Sequence, residues 1–102
     1  MADLFDAPAR LRIMSALVQL GRDSDISFGR LQTLLALTPG NLSAHIKRLE
    51  AAGYVEVAKR FTARGVPQTS VRVSAEGVAA FDSHVAVLQE IIGRPLTADH
   101  QS

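Results

Sequence analysis

Apolar residues recur at helical spacing in four stretches of this chain and alternate with polar ones in the segments between them. Asp6 and Pro8 suit a helix start, and Leu11, Met14, Leu17 and Val18 then form a stripe that Gly21 ends. Residues 26–28 could add a short strand. Residues 30–36 read as a second helix with Leu31, Leu34 and Leu35 inward. A third helix begins where Thr38 offers a capping hydroxyl and Pro39 suits the first helical position. It carries Leu42, Ile46 and Leu49 on one side and stops at Gly53. Residues 54–61 alternate as a strand, with Val55, Val57 and Phe61 on one face. Residues 62–67 are turn-rich, and Thr69, Val71 and Val73 alternate with Ser70 and Arg72 in a returning strand. Ser74 caps a long last helix, to about residue 92, bearing Val78, Phe81, Val85, Leu88 and Ile92. Gly93 and Pro95 end it.

The predicted order is helix, short strand, helix, helix, hairpin, long helix. The fold class is therefore mainly α with a small β hairpin. The 102 residues suit one domain spanning 1–102, and no repeat or linker divides them.

Composition removes several classes of chemistry. With no cysteine there is no disulfide, thiolate metal site or thiol nucleophile, which agrees with a cytoplasmic setting. The acidic start is followed by no long apolar run, so neither a signal peptide nor a membrane span is expected. No glycine-rich phosphate loop, paired catalytic carboxylates or nucleophile elbow is present, so the chain is not expected to be an enzyme. Net charge is only +1, but it is unevenly spread. Residues 29–72 hold seven basic side chains against two acidic ones, whereas the flanks are net acidic. A basic middle between acidic flanks fits one face for a polyanion and another for the protein's own partner.

Those charges coincide with a motif. The run Asn41-Leu42-Ser43-Ala44-His45-Ile46-Lys47-Arg48-Leu49-Glu50-Ala51-Ala52-Gly53-Tyr54-Val55 puts Gly40, Ala44, Lys47 and Ala51 opposite the apolar stripe, with Arg48 beside them. A slim helix with small residues and cations outward fits a DNA major groove. The Ser-x-His-hydrophobic-Lys run followed by Leu-Glu-x-x-Gly resembles the recognition helices of winged helix-turn-helix regulators of the arsenic-repressor and multiple-antibiotic-resistance-repressor types. It is most similar to their short stand-alone relatives, and the resemblance covers roughly residues 8–92.

The resemblance implies DNA contact at Asn41, Ser43, Ala44, His45, Lys47 and Arg48. Residue chemistry supports most of these: Asn41 and Ser43 lie in the first turns, and Lys47 and Arg48 can meet phosphates or guanine edges. His45 sits nearer the buried stripe, where a histidine is as often packed as exposed. In the hairpin, Arg60, Thr62 and Arg64 surround the turn at Gly65, and an arginine at such a tip can reach a minor groove. A solvated loop is the plain alternative.

The last helix carries a second stripe of Ala80, His84, Val87 and Ile91, about a hundred degrees from the first. One stripe packs a helix on its own domain, and two ask for a further partner, here a second copy. Residues 74–92 are thus the expected dimerisation helix; in the relatives this helix and the first usually build the dimer. Asp82-Ser83-His84 matches half of a zinc site known in some arsenic-repressor-type sensors. Pro95 and Ala98 stand where its other ligands belong, so neither metal nor cofactor is expected, and His84 reads as a packed interface histidine. The function that follows is a homodimeric, sequence-specific double-stranded DNA-binding repressor, with room for a small-molecule effector of unidentified chemistry. The rival is a winged helix used as a protein-interaction module, which would expose apolar residues on the third helix or the wing.

Overall fold

The computed structural model describes Phe5 and residues 7–93. Asp6, Pro95 and Ala98 lie outside the described residues. Among the described residues, four α-helices and three strands follow one another as α1 (Pro8–Leu20), β1 (Ile26–Ser27), α2 (Phe28–Leu35), α3 (Pro39–Ala51), β2 (Val55–Phe61), β3 (Pro67–Val73) and α4 (Ala75–Leu88), and α4 widens into a π turn over Gln89–Gly93. The strands form one antiparallel sheet in the order β1-β3-β2. Ile26 pairs with Val71 at one edge, and Val55 pairs with Val73 down to Phe61 with Pro67 along the hairpin.

Local chemistry explains the helix limits. Ser27, Thr38 and Ser74 each accept a hydrogen bond from the backbone amide three residues on, and so cap α2, α3 and α4. Pro39 opens α3, where its missing amide hydrogen costs nothing. α1 begins without a side-chain cap, behind Ala7. It ends at Gly21, whose φ of 94° a residue with a Cβ rarely adopts. Gly53 ends the α3 segment in the same way at φ 82°.

The core gathers Ile13, Met14 and Leu17 of α1, Leu31 and Leu35 of α2, Leu42, Ile46 and Leu49 of α3, and Val55, Val71 and Val73 of the sheet. Removing those side chains from water is the main drive for the fold, at about 1.5–3 kcal/mol each. The structure departs from the sequence reading at several positions, and the last helix keeps α geometry only to Leu88, with Ile92 of its expected packing stripe exposed. Phe28 opens α2 rather than extending the strand. Pro67 belongs to β3 rather than to the turn. Leu34 is exposed, because Leu31 and Leu35 already fill the side of α2 that meets α1 and β3. Phe61 shares the Val55 face by alternation but lies beyond the end of the body and is 74% exposed.

Candidate nucleic-acid interface

α2 and α3 are joined by residues 36–38. Ala36 takes a left-handed φ of 55°, and the amide of Leu37 returns to the Gln32 carbonyl at 3.2 Å. Leu42, Ile46 and Leu49 then pin α3 to the core, which fixes the roll of the helix about its axis. The opposite side follows without freedom. Gly40, Asn41, Ala44, Lys47, Arg48 and Ala51 are exposed, and Ser43 is half-buried. Lys47 and Arg48 form no ion pair among the described residues.

His45 is placed differently from its neighbours. It is half-buried against α1, where Arg10 Nη1 lies 3.2 Å from its Nδ1. A guanidinium only donates, so Nδ1 accepts and the ring proton sits on Nε2. Burial first, and then the nearby charges of Arg10 and Arg48, lower the His45 pKa below its ordinary value. The lowered pKa favours the uncharged ring, which packs as a neutral element beside Arg10.

The wing is braced from within. Thr62 Oγ1 accepts hydrogen bonds from the amides of Arg64 (3.3 Å) and Val66 (3.2 Å), and Gly65 turns the chain at φ 79°. Thr62 therefore builds the turn that presents Arg64. Arg64 is exposed and has no acidic partner among the described residues. Arg60 is engaged: its guanidinium meets Asp25 at 2.6 Å and ties β2 to the loop before β1. Arg72 is paired as well, through two bonds to Glu56 Oε1 from the directly opposite strand position. Two of the seven cations of the middle segment are thus spent inside the protein.

A groove of about 370 Å³ runs between α3 and the sheet, lined by Ser43, Lys47 and Glu50 on one side and Val57, Lys59 and Thr69 on the other. The sequence marks Lys59 as one of the middle-segment cations expected to meet phosphate, without placing it beside α3. Its alternation with Val55 and Val57 was the available signal that it faces α3. The tie from Asp25 to Arg60 had no such signal.

α4 divides into two halves. Its first part lies on the body, with Val78, Ala80 and Phe81 against the core and His84 beside Phe5 at a centroid distance of 4.9 Å. Its far part does not: Val87 is 56% exposed, Ile91 69% and Ile92 63%. Among the described residues no group of three His, Asp or Glu side chains could hold a metal ion, and no helix is long and apolar enough to cross a membrane.

Residues 9–92 match the family model of the winged helix DNA-binding domain. The chain belongs to that family. An uncharacterized protein of Methanocaldococcus jannaschii is 32% identical over 82 residues, which cover 80% of this chain and 85% of that protein. The structure of a transcriptional regulator homologue from Pyrococcus horikoshii is 33% identical, with a TM-score of 0.80 over 89% of this chain and 86% of that one. The homodimeric winged helix-turn-helix DNA-binding domain of a Mycobacterium bovis protein shares the fold at 21% identity and TM-score 0.65, covering 87% of this chain and 74% of that one. In winged-helix terms α2 and α3 are the helix-turn-helix, with α3 in the recognition position, and β2 and β3 are the wing.

Proposed function

We propose that this winged-helix protein is a homodimeric repressor that binds double-stranded DNA at specific sequences and excludes polymerase from a promoter. The observation that carries the reading is the outer face of α3, where small residues and unpaired cations stand together on a helix whose roll the core fixes. Gly40 and Ala44 let the helix approach base edges closely, and Lys47 and Arg48 supply charge-assisted contacts to phosphate or guanine. Asn41 and Ser43 stand at the helix start, where backbone amides also meet phosphate. Arg64 reaches an adjacent groove from the wing, and Arg60 and Thr62 hold that wing in place. The mechanism is binding rather than chemistry. A gel shift with the region upstream of its own gene, at two salt concentrations, tests the reading: a discrete complex weakened by salt is expected, and no shift at low salt contradicts it.

The dimer rests on the bare far half of α4, including Val87 and Ile91, with Ala80 and His84 of the same stripe nearer the body. That the Mycobacterium bovis domain is homodimeric supports a dimer here. Val87→Glu would bury an unpaired charge between two copies, a change that costs about 3–5 kcal/mol when a buried charge has no partner. Sedimentation should show the variant as a monomer with most of its helix content kept. A wild type that sediments as a monomer at micromolar concentration would overturn the dimer.

A second reading has one observation in its favour. Phe61 and Val66 stand exposed on the wing beside Arg64, as a protein-docking wing would require. A protein-interaction role without DNA binding then follows if the chain ignores duplex DNA at low salt.

A further inference from the structure

The junction between α3 and β2 touches the first turn of α4 more closely than ordinary packing allows. Ser74 donates its backbone N–H to the Tyr54 carbonyl at 3.0 Å and its hydroxyl to the Gly53 carbonyl at 2.5 Å. The same hydroxyl oxygen accepts the amide of Gly77 at 2.9 Å. Gly77 is buried, and a Cβ on it would lie 2.1 Å from the Tyr54 carbonyl oxygen and 2.9 Å from its carbon. No side-chain rotation relieves a clash with backbone, so only glycine allows this approach. About two turns further along α4, the aromatic side chains complete the contact. Phe5 stacks on buried Tyr54 at 5.9 Å with an interplanar angle of 11°, and meets His84 of α4 in a tilted contact at 4.9 Å and 43°.

Tyr54 is the first residue of the structure beyond the glycine that ends the recognition segment, so this knot sits where α3 leaves for the wing. It joins the base of the dimerisation helix to the exit of the recognition helix by hydrogen bonds, a glycine contact and an aromatic cluster. Helix α1 packs on both α4 and α3, on the latter in part through Arg10 and His45, and the knot adds a direct tie from α4 to the exit of α3. We infer that Gly77 and Tyr54, with Phe5 and His84, are the positioning residues that fix the angle of α4 against α3 and thereby the half-site separation the dimer reads. The inference rests on the dimeric DNA-binding reading. A dimer places two recognition helices along one duplex, and any change in the angle of α4 is carried to both by the two-fold axis.

The test is selection from a random duplex library with the full chain, sequencing both the half-site motif and the spacing between half-sites. Wild type is expected to enrich inverted half-sites at a single separation of about one helical turn, roughly 10–10.5 base pairs. Gly77→Ala should retain the half-site motif and spread the enriched separations over several base pairs. His84→Ala removes the α4 ring from the cluster at a half-exposed position, so the variant keeps its core. It should broaden the separation as well, and it decides the matter if Gly77→Ala does not fold. Circular dichroism and sedimentation of both variants exclude simple unfolding or dimer loss as the cause. A folded, dimeric His84→Ala with the sharp wild-type separation overturns the inference and leaves the DNA-binding reading intact. A wild type that enriches no motif, or half-sites at no fixed separation, overturns the dimeric reading itself and the inference with it.

Discussion

The recognition helix and the wing both carry cations in the sequence, yet the structure treats those cations differently. On α3, Lys47 and Arg48 stand exposed and unpaired among the described residues, beside small side chains. On the wing, Arg60 is held by Asp25, and Thr62 spends its hydroxyl on the turn, which leaves Arg64 as the outward charge. Position along a basic segment therefore says less than pairing does. A helix buried along one stripe presents its opposite face automatically, whereas a hairpin leaving the body needs internal ties to hold its shape. The contrast predicts that α3 supplies sequence readout and the wing supplies mainly non-specific anchoring.

The largest effect is expected on α3. Lys47→Ala or Arg48→Ala should alter the selected sequence and cost roughly 1–3 kcal/mol where the lost contact was to a base. Selection profiles identical to wild type would remove the readout role of the helix. Arg64→Ala comes next: affinity should fall about equally on every duplex, and the log–log salt slope should become shallower by about two, one for each protomer. A changed sequence preference in that variant would erase the distinction between helix and wing.

Arg60→Ala should leave duplex affinity nearly unchanged, because its charge is already engaged, and lower thermal stability by about 0–1 kcal/mol as exposed ion pairs do. A loss of affinity as large as that of Arg48→Ala would show that Arg60 leaves Asp25 for DNA. The smallest effect concerns His45. Its lowered pKa means that the unfolded chain takes up a proton first as pH falls, so its contribution is complete above the ordinary value of 6.5 and is lost as pH falls through the lowered one. Thermal melts of His45→Gln should therefore lose part of the wild-type decline in stability on the acid side of pH 6.5. Superimposable pH profiles would separate the Arg10 contact from any proton linkage.

Much of this fold was legible because its signals are local. The Thr38 cap, the Leu42, Ile46 and Leu49 stripe and the Gly53 stop all lie within one helix and its ends, and all three appear in the structure. Leu34 and Phe61 misled because an apolar residue at the right spacing reveals a face but not whether another element covers it. The π turn after Leu88 left no periodic mark distinct from a continuing helix. The pairings that reshape the candidate site join residues distant in sequence, as with Arg10 and His45, 35 positions apart. Charge and spacing showed that Arg60 is basic and near a tip, but only the packing of the β1 loop beside β2 shows which carboxylate it meets.

The central claim is that this winged helix grips duplex DNA through unpaired cations on α3 and at the wing tip. Its most direct test is the affinity of the wild-type chain for its selected duplex, measured across a salt series. Each phosphate neutralised should add about 0.9 to the steepness of the log–log slope, so several contacts per dimer give a steep negative line. A slope near zero, or no duplex binding at low salt, would contradict the account.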